Sequence, residues 1–218
     1  MDYEQIRADA AINVYIAQAD ASMAALGFTE HSFAHVTKVA QFAGEILEKL
    51  HYPERTVELA KIAGYLHDIG NVVNRVDHSQ SGAVMAFRLP DKMNFPPEEI
   101  AAIVTAIGNH DEGTGVPVNA VAAALIIADK SDVRRSRVRR KEDIESDIHD
   151  RVNYSVTEAT LTVAPEEKTI TLSLTVDTAV SSVMDYFEIF MKRMLLCRKA
   201  AQMLGLSFRL KINGQLLA

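Results

Sequence analysis

The feature that most constrains the fold is a helical repeat of apolar residues through the first ~130 positions. In one segment, for example, Val36, Val39, Ala43 and Ile46 fall on a single stripe. Glycines, prolines and polar residues separate such segments, which predicts a helical bundle. The predicted helices are Tyr3 to about Gly27, Ser32 to Leu50, Pro53 to Gly70, His78 to about Leu89 (ended by Pro90), Pro97 to His110, and Val118 to Asp129.

The inward or terminal positions of these helices repeatedly hold a histidine or an aspartate. The residues concerned are His35, His67, Asp68, His78, His110 and Asp129. Imidazole and carboxylate together suit iron, manganese, zinc or cobalt. Consecutive side chains at a helix end point in different directions, so a carboxylate such as Asp68 could bridge two metal positions. The pattern predicts a metal centre inside the bundle.

The segment Gly64-Tyr65-Leu66-His67-Asp68-Ile69-Gly70-Asn71 resembles the signature of HD-domain phosphohydrolases. Two further strings, His35-Val36-Thr37-Lys38-Val39-Ala40 and Ala128-Asp129-Lys130, are similar to the family's first and last ligand helices, and the resemblance covers about Glu30 to Asp132. It implies one or two divalent ions (Fe, Mn, Co, Zn or Mg). The implied ligands are His35, His67, Asp68 and Asp129, with His78 and His110 matching the extra histidines of the two-metal branches.

The resemblance implies hydrolysis of a phosphate ester or anhydride in a small phosphorylated substrate, most simply a nucleotide, by metal-activated water. Asp68 would orient the water, and Lys130 would assist catalysis by holding the phosphate. Arg75 and Arg134 would bind the substrate. Asn71 stands where the family usually has a lysine. A single histidine before Asp111 and the lack of a Gly-Tyr-Pro triplet argue against cyclic dinucleotides. Two other functions stay open: a non-catalytic sensor or scaffold that binds nucleotide and metal, and a di-iron oxygenase.

Residues beside the predicted ligands have simpler interpretations. His31 is expected to support the site or face solvent. Asp111 and Glu112 lie in a glycine-bearing loop at the expected mouth of the site, where a general acid for the leaving group could sit, although a solvated loop is the more frequent explanation. Cys197 is expected to be a small apolar core residue.

Beyond residue 133 the character of the chain changes. A run of arginines followed by acidic residues indicates that 134–153 is a charged connecting helix or linker. We expect its basic side chains to pair with its own acidic side chains. Alternating apolar residues at 160–163 and 170–176 predict a β-hairpin, followed by a long helix and a short strand at 208–212. The predicted fold is mainly α: an HD-type helical bundle over 1–133 and a small C-terminal α+β appendage over 154–218, which supplies no metal ligand.

Composition narrows the function classes. The net charge of −6 and the absence of tryptophan argue against nucleic-acid binding. No apolar run approaches the ~18 residues of a membrane span, so no membrane partner is expected. The acidic N-terminus lacks the profile of a secretory signal and Cys197 is the one cysteine, which together favour the cytoplasm. A homo-oligomer is compatible with the sequence.

Overall fold

The computed structural model of the chain describes residues 2–92, 95–139, 144 and 146–217. Most of these residues are helical, and a small sheet follows near the C-terminus, which confirms the predicted fold class. The helices are α1 Tyr3–Ala8, α2 Ala10–Ala25, α3 Phe33–Lys49, α4 Glu54–Leu66, α5 His78–Lys92, α6 Pro97–Gly108, α7 Ala120–Lys130, α8 Ile148–Ser155 and α9 Val183–Met203. Among the described residues, no helix is long and apolar enough to span a membrane.

The N-terminal segment forms two helices, so the prediction of one helix from Tyr3 to about Gly27 is wrong. The break lies at Asp9, whose carboxylate accepts hydrogen bonds from the backbone nitrogens of Ala11 and Ile12 and thereby caps α2. The break also shifts the buried face. Ile12 is fully buried, whereas Val14 is 57% exposed, although an unbroken apolar repeat through Ile6, Ala10 and Val14 predicts an inward position for it.

Helices α3, α4 and α7 pack together and form the centre of the bundle. The axes of α3 and α4 come close because Gly64 has no side chain: a Cβ atom there would lie 2.7 Å from the Cα atom of Ala40. After α4 the chain makes a short 3-10 turn over Ile69–Val72, and this turn packs against α5. The central helices therefore present their ends to one shared region.

Helix α5 extends to Lys92, so the predicted end before Pro90 is wrong. A proline in the last turn of a helix removes one hydrogen bond, and no later turn depends on that bond. Helix α6 begins at Pro97, which occupies the first helical position as expected.

The C-terminal part contains a four-stranded sheet with one face covered by α9. Strands β1 (Val156–Ala164) and β2 (Thr169–Val176) form the predicted antiparallel hairpin. After α9, strand β3 (Ser207–Ile212) pairs parallel to β2, and the two-residue strand β4 (Gln215–Leu216), which was not predicted, pairs antiparallel to β3. Helix α9 also packs on α7, so it lies between the sheet and the bundle.

The segment 134–153 contains a 3-10 turn over Arg135–Arg137 and the start of α8 at Ile148. Residues 140–143 and 145, within the predicted charged helix, lie outside the described residues. The division into two domains joined by this segment stays a prediction.

Candidate metal centre

The ends of several helices bring the predicted ligands together. His35 lies in the first turn of α3, His67 and Asp68 directly follow α4, and His78 begins α5. His110 follows α6, and Asp129 lies in the last turn of α7. The four histidine rings are all at most 4% exposed. The structure thus gathers all six residues in one buried cluster.

Asp68 is at the middle of this cluster, with one carboxylate oxygen toward each half. Its Oδ2 atom lies 3.4 Å from His35 Nε2 and 3.2 Å from His67 Nε2. Its Oδ1 atom lies 3.6 Å from His78 Nε2, and that nitrogen is 3.2 Å from His110 Nε2. A carboxylate placed in this way can serve two adjacent ion positions.

Asp129 completes the half of the cluster that contains His35 and His67. Its Oδ1 atom lies 3.4 Å from His35 Nε2 and 3.6 Å from His67 Nε2. One ligand atom from each of these three residues lies within 4.8 Å of the others, and the same holds for His67, Asp68 and His110. His67 belongs to both groups, so the two halves are contiguous.

Each histidine ring is fixed through its other nitrogen. His67 Nδ1 donates to the carbonyl of Gly64 at 2.8 Å, and His110 Nδ1 donates to that of Ile107 at 2.6 Å. His78 Nδ1 donates to the carbonyl of Arg75 at 3.1 Å. Because a carbonyl only accepts hydrogen bonds, each Nδ1 carries a proton and each Nε2 atom points into the cluster, where its lone pair can bind an ion when the ring is neutral.

His35 is fixed by a carboxylate instead. Its Nδ1 atom donates to Asp132 Oδ2 at 2.8 Å, and Asp132 is almost fully buried. An imidazole bonded in this way is a more basic ligand, because the carboxylate stabilises positive charge on the ring. Asp132 was not among the predicted site residues, although it lies one helical turn beyond Asp129 in sequence.

Three buried atoms at the centre of the cluster have no hydrogen-bond partner among the described residues: His35 Nε2, His67 Nε2 and Asp68 Oδ2. A buried polar atom without a partner costs roughly 1–3 kcal/mol. A shared cation would satisfy all three, since nitrogen lone pairs and a carboxylate oxygen are all electron donors. The donor set and its orientation therefore fit divalent metal ions.

Electrostatics keep the carboxylates of the cluster charged. Burial alone would raise the pKa of Asp68, but His67, His31 and His35 outweigh it and hold that pKa well below its ordinary value. Burial likewise disfavours the charged form of His67, yet Asp68 and Asp129 raise its pKa to about 10. An ion bound here would therefore compete with a proton for His67 Nε2.

The buried Lys130 and the partly buried Glu112 form an ion pair next to Asp129. Lys130 Nζ lies 2.7 Å from Asp129 Oδ2 and 2.7 Å from Glu112 Oε2, and Arg193 Nε donates to Glu112 Oε1 at 3.0 Å. Burial would raise the pKa of Glu112, but Lys130 and Arg193 outweigh it and lower that pKa. The interpretation of Glu112 as a solvated loop residue is therefore wrong, because two cations from other segments pair with its carboxylate and leave the side chain only 23% exposed.

A cavity of about 180 Å³ lies over the cluster. Arg75, Lys130, Arg137 and Arg193 contribute positive charge to its wall. Arg75 has no ion-pair partner among the described residues; its Nη1 atom is 3.4 Å from Asn71 Oδ1, and its guanidinium lies over the Phe28 ring. Arg75 is therefore available to an anion in the cavity.

Two other residues considered from sequence differ in their placement. Arg134, predicted to bind substrate, does not line this cavity in the described structure, because its guanidinium pairs with Glu30 at 3.0 Å and Asp132 at 2.9 Å. His31 does line the cavity, with its ring edge-to-face against His35.

The C-terminal part contributes to the cavity although it supplies none of the clustered ligands among the described residues. Phe190 and Arg193 of α9, together with Asn153 of α8, are among the residues that line the cavity. Sequence reasoning missed Arg137 and Arg193. Arg137 sits in a basic tract that reads as solvated, and Arg193 carries no local signal because its partner Glu112 is distant in sequence.

With this geometry in place, comparison with known proteins identifies the family. The HD domain family matches residues 32–152, more than half of the chain. The chain therefore belongs to the HD domain family, as the resemblance implied. The matched range contains all six clustered ligands, whereas α9 lies beyond it.

Individual relatives are more distant. An uncharacterized protein from Methanocaldococcus jannaschii is 25% identical over 162 residues, which are 64% of this chain and 62% of that protein. Ribonuclease Y from Lawsonia intracellularis is 31% identical over 130 residues, which are 55% of this chain and 23% of the enzyme. The chain thus spans less than two thirds of either relative.

Among solved structures, the chain is similar to a predicted HD superfamily hydrolase from an uncultured Thermotogales bacterium. The two are 27% identical with a TM-score of 0.45, and the match covers 57% of this chain and 67% of the other.

Proposed function

We propose that this protein is a metal-dependent phosphohydrolase that cleaves an ester or anhydride bond in a small phosphorylated molecule, with a nucleotide as the leading candidate. One observation carries the proposal. Four Nε2 atoms with fixed orientation lie around Asp68, which presents Oδ2 to His35 and His67 and Oδ1 to His78, whose Nε2 lies beside that of His110. Such a donor set is suited to one ion or two.

Divalent ions, when bound, lower the pKa of water and polarise phosphoryl oxygens. His35, His67, Asp68 and Asp129 would hold one ion, and His78, His110 and Asp68 a second. Asp68 would also orient the attacking water, because its oxygens lie between the two groups of histidines.

Cationic side chains would bind the phosphate. Arg75 is free of carboxylate partners among the described residues and lines the cavity, so it can approach a phosphate oxygen directly. Lys130 is held by Asp129 and Glu112, and it would counter the charge of the phosphate from a fixed position. The cavity of about 180 Å³ favours a small substrate over a folded nucleic acid.

The test is a turnover assay on protein purified without chelator. Bound metals are measured by elemental analysis, and phosphate release is followed with Mn, Co, Mg or Fe on nucleotides, dinucleoside polyphosphates and short RNA. The RNA arm is included because one relative is a ribonuclease. We expect release from a small phosphorylated compound, and cleavage of RNA alone would contradict the proposed substrate class.

Variants connect any activity to the cluster. His110→Ala should lower both metal content and activity. His51→Asn is the control, since His51 is exposed and its φ of 58° is a conformation that asparagine tolerates. Nucleotide binding without turnover in the wild-type protein would instead indicate a sensor, and oxygen consumption with two bound irons would indicate an oxygenase.

A further inference from the structure

Helix α9 has an outer stripe of exposed residues that the metal site does not use. On this stripe Met184 is 74% exposed, Met191 45% and Leu195 41%. Together with exposed polar residues, the outer stripe consists of Met184, Glu188, Met191, Leu195, Arg198 and Gln202. Exposing several large apolar side chains on one helix face is unfavourable unless another surface covers them.

The spacing of the outer stripe is that of a coiled-coil seam. Its residues follow one another at intervals of 4, 3, 4, 3 and 4, so the repeat averages 3.5 residues. The inner side of α9 is already occupied: Arg193 pairs with Glu112, and Ala200 is fully buried. These two residues lie on the side of the helix away from the stripe, so a helix docking on the stripe would meet neither the cavity nor the bundle core.

The order of charges along the stripe is self-complementary in one arrangement. If a second α9 runs antiparallel, with the symmetry axis between Met191 and Leu195, then Met191 of each copy faces Leu195 of the other. In the same register Glu188 faces Arg198 of the second copy, and this pair occurs twice by symmetry. Glu188 and Arg198 have no ion-pair partner within the described part of their own chain.

A parallel arrangement lacks this match. In a parallel pair each residue of the stripe would face its own copy, which places Glu188 against Glu188 and Arg198 against Arg198. Like charges directly opposed across an interface weaken association. Charge therefore selects the antiparallel register.

We infer that the chain forms a twofold-symmetric homodimer through antiparallel packing of the α9 outer stripes. The occupant of the exposed face is a second copy of this chain. Four residues of the stripe (Met184, Met191, Leu195 and Arg198) themselves line an apolar groove of about 410 Å³, together with Phe187, Met194, Phe208 and Leu210. This groove would receive side chains of the partner helix. The flanking Lys192 would lie near its own copy and extend into solvent at the rim.

The test is a charge swap measured by sedimentation equilibrium on the full chain. Glu188→Arg alone, or Arg198→Glu alone, places two like-charged pairs in the interface. We expect each single variant to raise the dimer dissociation constant by about tenfold or more. The double variant restores opposite charges with reversed polarity and should recover most of the affinity.

Glu48→Arg is the matched control, because Glu48 is an exposed glutamate of α3 and the change in net charge is the same as for Glu188→Arg. Circular dichroism checks that each variant remains folded. A wild-type chain that is monomeric at about 100 µM, far above a micromolar dissociation constant, would overturn the inference. Dimers unaffected by both single variants, or not restored in the double variant, would equally overturn it.

Discussion

At the scale of single residues, Asp132 connects the metal centre to the protein surface. Its Oδ2 atom accepts from His35, while Oδ1 lies 3.0 Å from Lys38 Nζ and 2.9 Å from Arg134 Nε. Both oxygens therefore face donors. The residue fixes the His35 ring and neutralises cations that would otherwise lie close to the centre.

We predict that Asp132→Asn weakens metal binding by about 10–100-fold. An amide presents an NH2 group where the carboxylate presents its second oxygen, so either His35 or the cations lose an acceptor. Competition with a chelator measures the affinity. Glu45→Gln, an equal change of charge on the exposed face of α3, is the control, and equal affinities in the two variants would contradict the role of Asp132.

The same residue predicts a pH dependence in the metal-free protein. Burial opposes the charged form of Asp132, but the hydrogen bond from His35 and the charges of Arg137 and Lys38 lower its pKa below the ordinary 3.8. A lowered pKa stabilises the fold above the unfolded-state value, and this contribution declines as the pH falls below about 4. With EDTA present, the difference in unfolding free energy between wild type and Asp132→Asn should therefore narrow from pH 7 to pH 3. A constant difference would contradict the lowered pKa.

At the scale of elements, the turn between α4 and α5 brings the two halves of the centre together. Gly70 in this turn touches the start of α5 so closely that a Cβ atom there would overlap the His78 carbonyl and the Gly82 amide. That contact brings His78 to Asp68. Glycine at the end of the His-Asp-Ile-Gly string is thus a packing requirement.

We predict that Gly70→Ala destabilises the protein by at least about 2–3 kcal/mol and lowers metal content, because backbone atoms of α5 must move. Chemical denaturation and elemental analysis measure the two effects. Gly108→Ala is the control, since its Cβ atom would sit 3.6 Å from that of Ala83, an ordinary contact. If both variants had wild-type stability, close packing at Gly70 would be excluded.

Features that depend on residues close together in the sequence could be predicted, whereas contacts between residues far apart in the sequence could not. Helical periodicity is local, so the bounds of α3 were predicted to within one residue and those of α6 to within two. Helix α4 ends at Leu66, four residues before the predicted Gly70, because the chain passes into a 3-10 turn there. The break at Asp9 was missed because the apolar residues on both sides of it have a helical spacing, which fits one long helix as well as two short ones. The predicted ligands lie in short sequence motifs that can be recognised. Arg193 has no such motif, because its contact with the site is the ion pair with Glu112, which is visible only in the folded chain.

At the scale of the whole molecule, α9 connects the C-terminal sheet to the metal centre. One side of this helix covers the sheet, and Arg193 extends from it to the Glu112–Lys130 pair. The C-terminal part therefore affects the cavity without supplying a clustered ligand.

We predict that Arg193→Met keeps the wild-type metal content and lowers kcat/KM for phosphate release. Without Arg193, Glu112 has Lys130 as its remaining cation, so the cavity wall loses positive charge and the loop after His110 loses an anchor. Elemental analysis and steady-state kinetics measure the two quantities, with Lys199→Met as an exposed control on the same helix. Loss of metal in Arg193→Met would show that the C-terminal part is needed for the centre itself.

The position of α9 late in the chain has a consequence for biosynthesis. At roughly 5–20 residues per second, a ribosome adds α9 on the order of seconds after it has completed α7. During that interval the nascent bundle already contains every histidine and aspartate of the centre, but the wall formed by Phe190 and Arg193 has yet to be made. During translation the six clustered residues are therefore accessible to ions from solution before α9 adds its wall to the cavity.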